Sequence, residues 1–262
     1  MTSLSCRKVH LNTIEELTAK KPQLREPLRF YEKTIQFADA VRELGFSIRL
    51  DQKAYPPRLT GPIIERFLSV FDLPAGSLSP LIQALDLGEI DFTRLPLLEV
   101  PAFSLPYPED DLTALLFLLS RPYFLGRHDV LQRDNCFWEK GVCPVCSARP
   151  SLMTVPREGR RQLFCSFCGT KGPFDSQGCP LCLNADGERL TTFLSEEEEG
   201  VAVLACDSCK GYVKTADEKI FARMTPALLD LVSLPLDIRV QQKGYKRLSP
   251  NPLGMVRMSA NG

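Results

Sequence analysis

Cys143-Pro-Val-Cys146, Cys165-Ser-Phe-Cys168, Cys179-Pro-Leu-Cys182 and Cys206-Asp-Ser-Cys209 are the stretches that decide the fold of this chain. They use eight of its ten cysteines, and no histidine stands beside any of them. A Cys-x-x-Cys turn points two thiolates at one cation. Two such knuckles complete a tetrahedral four-sulfur site, so four knuckles make two mononuclear sites. Tetrahedral thiolate suits zinc or iron. Ligand chemistry leans toward zinc but leaves an iron centre that cycles by one electron open. In a reducing compartment, paired cysteines at this spacing are metal ligands more often than disulfides. The expected ligands are therefore Cys143, Cys146, Cys165, Cys168, Cys179, Cys182, Cys206 and Cys209.

The knuckles come in blocks. Leu152–Val155 and Gln162–Phe164, separated by the charged turn at 157–160, lie between the first two. Arg189–Leu194 and Val201–Leu204, separated by Glu196–Glu199 and Gly200, lie between the last two. Each block reads knuckle, hairpin, knuckle, a repeat of architecture rather than of letters. This favours sequential pairing of knuckles, with a crossed arrangement the open alternative. Upstream the pattern is helical. Apolar residues recur near a 3.6 period over Pro27–Leu44, before Gly45. Leu59–Phe71, Ser79–Leu87 and Asp110–Ser120 are further helices, the third opening on Ser-Pro and the fourth on acids. The proline-rich Leu95–Pro108 reads as an extended connector. Downstream, Pro226–Val232 and Ile238–Gln242 look helical. The expected class is α+β. A mostly α-helical domain over 1–135 is followed by two tandem rubredoxin-like or zinc-ribbon modules over 136–172 and 173–215. A C-terminal helix and basic tail occupy 216–262.

The composition excludes several function classes. The chain has 262 residues, 44% of them apolar and 24% charged, which is ordinary for a globular protein. Its 32 basic and 32 acidic residues cancel, whereas binding through nucleic-acid phosphates usually shows a basic excess. The local exception is the tail with Arg239, Lys243, Lys246, Arg247 and Arg257. The first ten residues lack a signal-peptide core, and the longest apolar run, Leu112–Leu119, is too short to cross a bilayer. A cytoplasmic protein without a membrane segment is expected. No phosphate loop, H-E-x-x-H or G-x-S-x-G is present, and no nucleophile or acid–base constellation nominates an enzyme. Cys136 reads as a small buried apolar group and Cys6 as an incidental thiol. His10 and His128 are too far apart for a shared site, and His128 reads as a surface or capping residue. Trp138 is expected to pack under the first ribbon. The acid runs Glu109–Asp111 and Glu196–Glu199 read as a helix start and a solvated turn.

The stretch Trp138-Glu-Lys-Gly-Val-Cys143-Pro-Val-Cys146, the run Gly159-Arg-Arg-Gln-Leu-Phe-Cys165-Ser-Phe-Cys168-Gly-Thr and the two later knuckles with Lys-Gly-Tyr212-Val-Lys carry a family resemblance. So do Arg121-Pro122, Leu228-Leu-Asp230-Leu-Val-Ser-Leu234-Pro-Leu236-Asp237, Gly244-Tyr245-Lys-Arg247 and Asn251-Pro252. Over about residues 118–252 the chain resembles the formate dehydrogenase accessory protein family, FdhE. Over 1–117 only helical character and length agree. Ser147 stands where glycine usually follows the first knuckle, and Gly172-Pro173-Phe174 stands where the family tends to show tryptophan. The resemblance implies a helical domain joined to two rubredoxin-like modules, with iron held by all eight knuckle cysteines. It also implies a non-catalytic maturation factor that binds the catalytic subunit of a respiratory formate dehydrogenase in the cytoplasm before export. The alternatives are a zinc-ribbon nucleic-acid-binding protein and a rubredoxin-like electron carrier.

Overall fold

Five helices precede the cysteine-rich half: α1 (residues 14–20), α2 (Arg25–Arg42), α3 (Pro57–Phe71), α4 (Ser79–Asp86) and α5 (Glu109–Leu131). The computed structural model describes residues 14–45, 48–97, 105–131, 136–138, 141–154, 160–251 and 253. In α2 the buried residues Leu28, Tyr31, Thr34, Phe37, Ala38 and Val41 repeat at helical spacing, so one stripe faces inward. Pro57 opens α3 in the first turn, where its missing N–H costs nothing. That helix ends at Asp72, in left-handed conformation and paired with Lys33 at 2.6 Å. All three acids of Glu109–Asp111 sit in the first turn of α5, as expected. The sequence reading ends that helix at Ser120, but it continues through Arg121-Pro122 to Leu131. Every residue from Leu116 to Phe124 is buried. Packing on all sides holds the turns that proline would weaken in an isolated helix. The first residues of the expected connector Leu95–Pro108 fall in a 3-10 turn, Phe92–Leu97, and residues 98–104 lie outside the described residues.

The second half is built on one sheet. Strands β1 (Leu152–Thr154), β2 (Arg161–Phe164) and β3 (Lys171–Phe174) form an antiparallel ribbon. Strands β4 (Leu190–Leu194), β5 (Val201–Cys206) and β6 (Gly211–Ala216) repeat it. The ribbons fuse edge to edge where β1 runs parallel to β6, with Leu152 opposite Lys214, giving the order β3-β2-β1-β6-β5-β4. A short β7 (Lys246–Arg247) adds to β6 in parallel. The expectation of two tandem modules thus holds, and a shared sheet is added to it. After the sheet come α6 (Glu218–Phe221), α7 (Pro226–Val232) and α8 (Leu234–Gln241); α8 starts four residues before the predicted Ile238, with Pro235 in its first turn.

Side chains alternate across the strands, and each face has its own core. Met153, Leu163 and Val213 join Phe37, Ile63, Phe67, Phe117 and Tyr123 on the side of the N-terminal helices. Their strand neighbours Leu152, Phe164 and Tyr212 join Leu28, Leu228, Leu231, Leu236 and Val240 on the side of α7 and α8. The sheet is therefore a filling between two helical layers, and α2 contributes to both cores. Among the described residues no helix is long and apolar enough to cross a membrane.

Candidate metal centres

Each knuckle leaves its second cysteine through a left-handed residue. These are Ser147 (φ 62°), Gly169 (φ 82°), Leu183 (φ 63°) and Lys210 (φ 53°). In three of them the N–H of that residue donates to the carbonyl of the first cysteine at 2.9 Å, from Ser147 to Cys143, Gly169 to Cys165 and Leu183 to Cys179. The N–H of the same first cysteine donates to the residue after it: Cys143 to Ala148, Cys165 to Thr170 and Cys179 to Asn184. The chain is thus wrapped into a tight turn that holds both sulfurs on one side. Only glycine takes left-handed φ without cost, so Ser147, Leu183 and Lys210 hold strained backbone.

The sulfurs gather in two groups, Cys143, Cys146, Cys165 and Cys168 in one and Cys179, Cys182, Cys206 and Cys209 in the other, with all four of each within 4.8 Å of one another. The pairing of knuckles is sequential, not crossed. Sulfur separations are 3.5 Å for Cys143–Cys168 and 3.6 Å for Cys146–Cys165 in the first group. In the second they are 3.9 Å for Cys179–Cys209 and 3.8 Å for Cys182–Cys206. A tetrahedron with metal–sulfur bonds of about 2.3 Å has an edge of about 3.8 Å, so both cages fit a single zinc-sized or iron-sized cation. The distances are far beyond a disulfide bond, and all eight cysteines are free. Cys136, half-buried rather than fully buried, stands outside both cages. Cys6 and His10 lie outside the described residues.

Without a cation such a cage resists full ionisation. Burial and the neighbouring thiols push Cys146 up. Burial also opposes charge on Cys143, but hydrogen bonds from Cys146, Cys165 and Cys168 outweigh it and hold that thiol down. In the second cage burial is again opposed at Cys206, where the N–H groups of Cys209 and Ser208 bring the thiol to about 7. Cys209 is pushed up to about 11, chiefly by burial. A cage in which one thiolate forms and the next is resisted takes its remaining charge only with a cation present.

The cages differ in their surroundings. In the first, Cys143, Cys146, Cys165 and Cys168 are all buried inside the main core. Phe167, within the second knuckle, packs against Phe117 and Phe124 of α5 at ring distances of 5.5 and 5.3 Å. Trp138 is buried in the same core as this cage, as the sequence reading expects, and its backbone N–H donates to the Pro173 carbonyl of β3. The second cage has only a small cluster of its own, Leu181 with Leu190 and Leu248. Cys182 there is exposed and Cys209 half-exposed. The cages abut at Gly141 (φ 61°), where a side-chain carbon would lie 1.8 Å from the carbonyl oxygen of Pro180.

A buried ionic cluster ties these parts together, and reading the sequence alone does not find it. Lys214 of β6 is fully buried between Asp230 of α7, at 2.8 Å, and Asp237 of α8. Arg247 of β7 meets Asp230 at 2.6 Å and Asp237 at 3.3 Å. Ser166, inside the second knuckle of the first cage, donates to Asp230 at 2.8 Å, and Tyr212 donates to Asp237 at 2.7 Å. Two cations and two carboxylates balance. Burial works against charge on Asp230, but Arg247 and Lys214 outweigh it and hold the carboxyl well below the usual range. Burial, and then the charge of Asp237, raise the Tyr212 phenol. Arg247 is therefore no part of a solvent-facing basic tail. Arg239 pairs with Glu196 at 2.9 Å, and Lys21 is paired with Glu197 and Glu198. The acidic turn is thus clamped from two sides rather than merely solvated. His128 lies half-buried in the last turn of α5.

Comparison with known proteins shows what this chain is similar to. Residues 179–253 match the model of the FdhE C-terminal domain. An FdhE homolog of Aquifex aeolicus is 26% identical over 276 residues, covering 95% of this chain and 95% of the relative. The chain is similar to FdhE proteins along nearly its whole length. An FdhE homolog of Shewanella baltica is 32% identical over 120 residues, and protein FdhE of Escherichia coli K12 is 31% identical over 117. Those matches span 40% and 38% of the relatives. The crystal structure of the FdhE protein from Pseudomonas aeruginosa shares the fold, with a TM-score of 0.65, 19% identity and 94% coverage of both chains. The FdhE resemblance carried by the knuckles and by Asp230, Asp237 and Arg247 is thus met again across nearly the whole length.

Proposed function

We propose that this chain is a non-catalytic accessory protein for the maturation of a respiratory formate dehydrogenase, binding the catalytic subunit in the cytoplasm before export. Each four-cysteine cage would hold one iron or zinc ion through Cys143, Cys146, Cys165 and Cys168, or through Cys179, Cys182, Cys206 and Cys209. When bound, the ion supplies the cross-link between two knuckles and, if it is iron, a one-electron redox couple. The chain's own residues do the rest. The knuckle N–H groups fix the sulfurs, the aromatic wall of Phe117, Phe124 and Phe167 keeps water from the first cage, and the ionic cluster locks β6 against α7 and α8.

The observation that carries this reading is the pair of four-sulfur cages set in one sheet between two helical layers, in a chain related to FdhE proteins. A scaffold of this kind, whose sequence carries no acid–base or nucleophilic motif, suits the recognition of another polypeptide. The test is co-purification of the full chain with the formate dehydrogenase catalytic subunit, together with elemental analysis. About two metal ions per chain are expected, one per four thiolates. Changing both Cys143 and Cys146 to Ser should abolish association and remove one ion. Undiminished association of a variant that has lost the ion would refute the role of the first cage in docking.

A further inference from the structure

We infer that the second cage is the exchangeable one of the pair, and that Cys182 is the ligand that gives way to a thiolate donor from outside the chain. Release of a metal from four thiolates needs two things: an incoming donor must reach the cation, and one resident sulfur must swing out. In the first cage neither is open. Its four cysteines are buried in the main core, and the Cys165–Cys168 knuckle is pinned through Phe167 against Phe117 and Phe124. In the second cage Cys179 and Cys206 form a fixed floor, 2% and 1% exposed. Cys182 faces solvent and Cys209 is partly open, so two resident ligands are anchored and two form an accessible edge.

The backbone adds a second, independent reason. Leu183 follows Cys182 in left-handed conformation, and its side chain remains 43% exposed. A bulky residue in that region holds strain that little packing offsets, so rotation of the Cys182–Leu183 linkage relieves it. The Asn184 amide donates to the Ser208 hydroxyl of the facing knuckle, so the rest of the turn stays in place when Cys182 moves. In the exchange, a bond to the incoming sulfur replaces the bond to Cys182. The incoming thiol gives up a proton, the departing Cys182 takes one up, and no electron moves. This inference stands on ligand burial and backbone geometry and does not depend on the accessory role. A failure to bind formate dehydrogenase would leave it untouched.

The test uses the full chain with both cages loaded with cobalt(II), challenged with excess EDTA and followed by thiolate-to-cobalt absorption. Two phases of equal amplitude are expected, the faster at least about tenfold quicker, since the apolar shell controls access to a metal site. A short iodoacetamide pulse on zinc-loaded protein, followed by peptide mapping, should label Cys182 before any of Cys143, Cys146, Cys165 and Cys168. Cys182→Ser should accelerate or eliminate the fast phase and leave the slow phase alone. A single phase, an unchanged fast phase in the variant, or alkylation of the first cage as early as the second would overturn the inference.

Discussion

Ser147 is exposed and occupies left-handed backbone at φ 62°, with nothing in its side chain that the turn requires. Relief of left-handed strain is worth about 1–2 kcal/mol, and the added freedom of an unfolded glycine takes back about 0.4–1 kcal/mol. Ser147→Gly should therefore raise stability by about 0.5–1 kcal/mol in denaturant titration, with m unchanged. Lys214 is the opposite kind of residue, buried and fully engaged. Lys214→Met leaves Arg247 alone between two carboxylates and should cost about 3–5 kcal/mol. Asp230 gives this cluster a pH signature. Its folded pKa lies below the unfolded value of about 3.9, so its contribution is present above that pH and is lost as pH falls through the folded value. Stability measured from pH 6 to pH 2 should decline in that window, and Asp230→Asn should be less stable at pH 6 with a flatter acid limb. None of this is legible in the letters. A lysine in a strand reads as solvent-facing, and positions 214, 230, 237 and 247 share no period.

At the scale of elements, the cages were legible because a knuckle is a local object. Eight cysteines at fixed spacing, with a hairpin inside each pair of knuckles, point to sequential pairing, and the structure has that pairing. Strand β3 was not legible, since Lys171-Gly-Pro-Phe174 carries a glycine and a proline where strand signals belong. Strand β6 is buried at all six positions, so the alternation that marks a half-exposed strand is missing. The extension of α5 beyond Ser120 was hidden by Pro122, whose local preference yields to burial on every side. The contact between knuckles also belongs to this scale. Gly141→Ala brings a methyl group against the Pro180 carbonyl and should cost about 1–3 kcal/mol. Because Gly141 and Pro180 belong to different cages, the variant should show altered cobalt spectra at both.

For the whole molecule, cations held by the two cages should be coupled unequally to the two helical layers. A structural zinc contributes about 10–16 kcal/mol in small peptide systems, and the first cage shares its core with α5. Graded chelation followed by hydrogen exchange should raise exchange in the knuckles of the second cage first, and in α5 only when the first cage is emptied. Protection in α5 that falls with the first equivalent removed would contradict this coupling. The parallel splice of β1 to β6 has a temporal meaning as well. During synthesis the first ribbon emerges from the ribosome with one edge bare, and its partner, β6, is still to be made. Until residues 211–216 arrive, that bare edge is open to any extended chain nearby. A nascent protein halted between the two ribbons is thus the form most in need of a chaperone.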